Sequence, residues 1–233
     1  MFFVVAVPLT LVELAGPLSA ERGKGGTPWN ARHIAERYGL LSIITLGEGV
    51  IGTVASLSAV LETQGWSRDA ALIAVAGTGL TFGMWWMYFV VPSAEVLSVR
   101  RDRGLPWGYA HIPVFGAIAA TGAGLHVAAD YLGDEAHIGT AAVVLTVTVP
   151  VATFVVAISA LYAYLAGAFG FFPFWLLGGT AAVLGLAVLL AVAGVPMATC
   201  LVVVMAAPLV VVVGYEVAGH RHMAVALERA VSR

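Results

Sequence analysis

A chain of 233 residues that is 61% hydrophobic and only 10% charged, with a mean hydropathy of +0.97, is not a water-soluble globule, because soluble domains carry about 25% charged residues. The formal net charge of −2 leaves no basic surface able to track phosphates, so no nucleic-acid partner is expected. The single cysteine, Cys200, excludes an intramolecular disulfide and any cysteine-based metal site.

At about 20 residues per bilayer crossing, the apolar stretches predict seven spans: 1–20, 38–61, 70–92, 108–129, 139–165, 172–193 and 195–218. The expected fold is therefore all-α, a polytopic bundle of about seven membrane helices. It forms one domain over 1–218, with a short tail over 219–233. The first stretch has neither a basic leader nor a small-residue cleavage site before its charged flank, so it reads as a bundle helix rather than a signal peptide. The chain opens directly in it, either because the protein begins there or because this is the C-terminal part of a longer one. The stretch carries Glu13, about 10 Å from its charged end by helical rise.

The second span holds the most informative residue, Glu48, at the centre of an apolar run. A mid-membrane acid costs at least about 2.5 kcal/mol on insertion scales and usually marks a function. Its resting form is expected to be protonated, since desolvation favours the neutral acid. Upstream lie His33, Glu36 and Arg37. Arg37 and Glu48 are eleven positions apart, about 20° in angle and about 16 Å in depth. They share a face without touching. His33, Glu36 and Arg37 read either as the charged mouth of an ion path or as an interfacial cap with snorkelling ends. Glu13 reads either as a salt-bridge partner of Arg37 or as the second acid of a shared site with Glu48.

The third span contains Gly79-xxx-Gly83, a weak small-residue packing motif, and Trp85, Trp86 and Tyr88, which read as packing or lipid-facing aromatics. The fourth carries Tyr109 and His111 near one end and His126 and Asp130 near the other. His111 reads either as a proton relay or as a histidine bonded to a backbone carbonyl. His126–Asp130 reads as a surface pair. Trp29, Trp66, Trp107 and Tyr131 fall near span ends, where amphipathic rings favour the interface. Between the last two spans only Gly194, Val195 and Pro196 mark a break, so 172–218 reads as one span or two.

Ten of the eleven Lys and Arg residues fall on one side of this topology, and only Arg68 on the other. The positive-inside rule makes the arginine-rich side cytoplasmic, with the C-terminus inside. Two apparent motifs fail on context. Gly47-Glu-Gly-Val-Ile-Gly52 matches G-x-G-x-x-G but follows no strand, so Gly47, Gly49 and Gly52 read as close packing or local unwinding around Glu48. His33-x-x-Glu36 offers two ligands at most. No cofactor or metal is expected.

The run His33-Ile-Ala-Glu-Arg-Tyr-Gly-Leu-Leu-Ser-Ile-Ile-Thr-Leu-Gly-Glu48 resembles the signature H-[LF]-x-E-R-[FY]-G-L-x-x-I-x-x-L-G-E of the bacterial low-temperature-requirement A family. Tyr109-Ala-His-Ile-Pro-Val-Phe-Gly-Ala-Ile118 is similar to its Y-x-H-x-P-x-x-x-G-I helix. The acidic E-L-F-F-D-L-V-F-type helix with which members usually begin has no counterpart here, so the resemblance covers the family's C-terminal portion. It implies a multi-pass protein of the bacterial inner membrane linked to growth in the cold, and it supplies no substrate.

These residues are compatible with three functions. The first is a secondary transporter or proton/ion pathway using Glu48, Glu13 and the charged mouth. The second is a membrane enzyme acting on lipid-linked substrates through His33, Glu36, Arg37, His111 and Arg103. The third is a structural component of a larger assembly. Expected partners are the bilayer, a proton, ion or small solute, and either a second copy or a missing N-terminal half.

Overall fold

A computed structural model of the chain describes residues 2–21, 28–167 and 172–219. The expected tail beyond 219, with Arg221, Arg229 and Arg233, lies outside the described residues, as do Arg22 and Lys24. Every described element is a helix or turn. In chain order they are α1 (Phe2–Glu21), α2 (Ala31–Gln64), α3 (Arg68–Phe89), α4 (Ser93–Val99), a single 3-10 turn at Arg101–Arg103, α5 (Gly104–Tyr109), α6 (His111–Leu132), α7 (Thr140–Ala166), α8 (Phe172–Val192) and α9 (Met197–Gly214). A π turn over Tyr215–Gly219 follows α9.

Six helical segments among the described residues are long and apolar enough to cross a membrane, beginning at Ala31 and ending at Val217. The expected seventh span rests on α1 alone. The 172–218 stretch divides into two helices, α8 and α9. The break falls where Gly194 adopts a φ of +81°, a backbone geometry that glycine takes without penalty, and Pro196 precedes the first turn of α9. The second span is longer than hydropathy alone predicts. Asn30 caps α2 by accepting from the His33 backbone N–H at 3.1 Å, so the charged run from Arg32 to Arg37 is helical as well.

The six long helices close into a ring. α2 packs on α6, α6 on α7, α7 on α8, α8 on α9, α9 on α3, and α3 back on α2, with α7 and α9 also touching across it. Lipid is as apolar as a side-chain core, so such contacts depend on shape and on small residues that let backbones approach. The buried positions of α2 display this. Gly39, Ser42, Leu46, Gly49, Thr53, Ser56 and Val60 recur at alternating spacings of three and four, the period of a packed helical seam. The large residues Leu40, Ile44, Ile51 and Val54 point outward.

Polar contacts lock the ring locally. Ser56 Oγ donates to the carbonyls of Gly52 and Leu125, at 2.9 and 2.8 Å, tying α2 to α6. On the α3–α9 seam Gly79 and Gly83 face Met205 and Pro208, as the packing motif implied. Arg103 donates to the carbonyls of Tyr164 and Leu165 and lies over the Tyr164 ring, so a cation closes the C-terminal end of α7. α1 sits apart from the ring. Apart from Ala6, every side chain described in it is exposed.

Candidate functional site

The C-terminal half of α1, the first turns of α2, the 3-10 turn and α5 surround a cavity of about 910 Å³. Its polar wall comes from Glu13 and Glu21 of α1, Arg37 of α2, Arg101 and Asp102 of the 3-10 turn, and Tyr109 of α5. Tyr109 Oη donates to the Leu14 carbonyl, which pins α1 over the opening. Arg101 donates to the Trp29 carbonyl at 2.5 Å and stacks on the Trp29 ring. Among the described residues, Glu13, Arg37 and Asp102 make no ion pair. Glu13 and Arg37 therefore share a cavity without forming the salt bridge considered from sequence.

The other charged residues of the α2 mouth go elsewhere. Glu36 turns to a second groove, of about 650 Å³, between α2 and the α3–α4 corner. His33 is exposed and lines neither cavity. The i,i+3 and i,i+4 spacing placed all three at one helix end, but Glu36 and Arg37 are about 100° apart on the helix and so address different neighbours.

Glu48 lies at the midpoint of α2, as expected, but its side chain is exposed rather than enclosed by the ring. Its backbone presses on α6, where a Cβ at Gly122 would meet the Glu48 Cβ at 2.6 Å. Glu13 and Glu48 do not share a site among the described residues, because Glu48 lines neither cavity. The exposed residues Arg37, Leu41, Ile44, Glu48 and Ile51 instead form one stripe at helical spacing down the outer face of α2. The neighbouring glycines differ from one another. Gly49 packs on Thr81 and Gly52 on Leu125 and the Gly122 carbonyl, whereas Gly47 faces open space. α2 is continuous through all three, so no unwinding surrounds Glu48.

His111 is fully enclosed beside the site, 1% exposed. Its Nδ1 bonds to the Trp107 carbonyl at 2.8 Å and its Nε2 to Tyr88 Oη at 3.1 Å. A carbonyl only accepts, so in the neutral ring Nδ1 carries the proton and Nε2 accepts from the tyrosine. The rings of Trp107 and Tyr38 pack on the imidazole at centroid distances of 4.2 and 4.7 Å. Tyr38 also lines the larger cavity, while Tyr88 and Trp107 line the smaller groove. This aromatic box is the partition between the two spaces. Trp107, expected in the interfacial belt, is instead a core residue, 1% exposed. Tyr88 is not a lipid-facing aromatic but the histidine's partner. Nothing in the spacing of the third span singles it out from Trp85 and Trp86, which are exposed. His111→Phe removes the side-chain donor to the Trp107 carbonyl and one of two side-chain partners of the Tyr88 hydroxyl, which Ser42 also meets. It is expected to lower stability by about 1–3 kcal/mol, read as a reduced thermal midpoint in detergent.

His126 and Asp130 do not bond to each other, contrary to the i,i+4 expectation. No cluster of three potential metal ligands occurs among the described residues.

The family profile for bacterial low temperature requirement A protein matches residues 1–208. The chain belongs to that family. No curated protein and no solved structure shows significant similarity to it. Both motif segments fall within the matched range and place the low-temperature-requirement A residues around the described features. Arg37, Tyr38 and Tyr109 wall the larger cavity, His111 forms the partition behind it, and Glu48 marks the outer stripe.

Proposed function

We propose that this low-temperature-requirement A protein is a secondary transporter or proton/ion pathway of the cell membrane, with the cavity beneath α1 as its vestibule on the cytoplasmic side. One observation carries the reading. Carboxylates and a guanidinium without ion-pair partners among the described residues surround a cavity of about 910 Å³ at the end of a membrane-crossing helix. Such groups are costly near a bilayer and commonly mark a solute route. The wall holds three carboxylates, Glu13, Glu21 and Asp102, against two guanidiniums, and Arg101 is already engaged by Trp29. The local field therefore favours a proton or small cation over an anion. From this vestibule the outer stripe of α2 leads to Glu48 at mid-depth, where a carboxyl group can take up and release a proton.

The test is proton and monovalent-cation flux into proteoliposomes holding the full chain. Wild-type flux is expected, with at least a tenfold change in its rate in Arg37→Gln, which alters the vestibule without touching the ring. Absence of flux from folded wild-type protein would defeat the proposal.

A second reading, a structural component of an assembly, is favoured by one feature: Glu48 is exposed on the single chain. In that case Glu48→Gln changes the oligomeric state in detergent and leaves flux at background in both proteins.

A further inference from the structure

The groove between α2 and the α3–α4 corner has a graded chemistry that the proposed pathway does not use. Its end nearest the start of α2 presents Arg32, Glu36 and Glu95, all exposed. One to two helical turns deeper, its wall becomes Leu40, Ile43 and Phe89. Arg32 and Ile43 are eleven residues apart on one straight helix, about 16 Å in depth. The groove is thus polar at the membrane surface and apolar toward the midplane. That is the orientation in which an amphiphile lies in a leaflet.

A second, independent observation points to a missing acceptor. Trp107 lines this groove and is 1% exposed, and its indole N–H has no hydrogen-bond partner. An indole nitrogen only donates, and a buried donor left unpaired costs about 1–3 kcal/mol. The other ring contacts of Trp107, to Tyr38 and His111, are face and edge contacts that do not satisfy it. An oxygen-bearing group seated in the groove would satisfy it after a small shift of the wall that covers the nitrogen.

From these two observations we infer that the groove is a binding site for a zwitterionic phospholipid with a primary-amine headgroup. The phosphodiester oxygens accept from Arg32 and the Trp107 indole N–H. The ammonium donates to Glu36 and Glu95, and the acyl chains run along Leu40, Ile43 and Phe89. A quaternary headgroup has no N–H to donate to the carboxylates, and a glycerol headgroup has no cation. Both are therefore discriminated against by the acidic pair. This site lies on the opposite side of the aromatic partition from the vestibule, and its occupancy does not depend on whether the protein moves a solute.

The test is a titration of the full chain in detergent, read by native mass spectrometry, with phosphatidylethanolamine, phosphatidylcholine and phosphatidylglycerol of matched acyl chains. Soluble glycerophosphoethanolamine forms a fourth arm. The amine lipid is expected to bind at least tenfold more tightly than the other two lipids and than the soluble headgroup. Glu95→Gln and Arg32→Gln, both at exposed positions, are each expected to weaken it about tenfold, and Trp107→Phe to weaken it severalfold. Equal binding of the three lipids overturns the headgroup assignment. So does undiminished amine-lipid binding in both surface variants. Equally tight binding of glycerophosphoethanolamine overturns the lipid assignment in favour of a soluble phosphoamine. Trp107→Phe is not needed for the decision, so a folding defect in that variant leaves the test intact.

Discussion

Glu48→Gln is expected to abolish proton-coupled flux while leaving the protein inserted and folded. The amide keeps the size of the carboxyl and its hydrogen-bonding capacity but cannot exchange a proton. Packing gives little reason for a structural loss. The Glu48 side chain is exposed, and what α6 meets at this level is the backbone and Cβ of residue 48, which glutamine preserves. A neutral carboxyl and an amide are both polar and carry comparable desolvation costs, so the variant should insert about as well as the parent. The measurement is flux in proteoliposomes across pH 5 to 8, alongside the thermal midpoint in detergent. Loss of flux at an unchanged midpoint assigns Glu48 to the pathway. Retained flux removes it.

The second large effect concerns the α2–α6 crossing. Gly122→Ala is expected to cost about 3 kcal/mol, the upper end of overpacking penalties. The added methyl would lie 2.6 Å from the Glu48 Cβ and 2.8 Å from its carbonyl carbon. Neither atom can swing away by a rotamer change, so the helices must separate. The crossing has no slack on its other side, because a Cβ at Gly52 would lie 2.8 Å from the Gly122 carbonyl oxygen. Gly47→Ala and Gly116→Ala are the controls. Both sites face open space, and alanine's better helix propensity should leave stability unchanged or raised by up to about 1 kcal/mol. Thermal unfolding of the four proteins in detergent checks the contrast. Equal midpoints for Gly122→Ala and Gly116→Ala would show that the α2–α6 crossing has room for a methyl group.

Helix content was legible from hydropathy because a bilayer forces backbone groups to bond within each segment. The extra length of α2 was less so, because Asn30 and the charged run before Tyr38 lower the local hydropathy that marks a span. Which face of a helix turns inward was largely hidden. Lipid and protein interior are similarly apolar, so Ile44 outside and Ile73 inside look alike in composition. For α2 a signal existed in the small residues from Gly39 to Ser56, whose three-and-four spacing marks the covered face and predicts that Glu48 lies off it. The Tyr38, Tyr88, Trp107 and His111 box draws on four helices, α2, α3, α5 and α6, and nothing local in any one of them announces the others. The family signature pointed to Tyr38 and His111 without indicating that they touch.

The ring has a consequence for how the chain is made. α3 and α9 are neighbours in the ring, yet Phe89 and Met197 are separated by about a hundred residues. At a synthesis rate of roughly 5–20 residues per second, α3 waits about 5–20 s before its partner emerges. Throughout that interval the face carrying Gly79 and Gly83 has only lipid or the insertion machinery against it. α9 is thus the clasp of the molecule, and a ribosome that stalls within its codons leaves five helices inserted in an open arc.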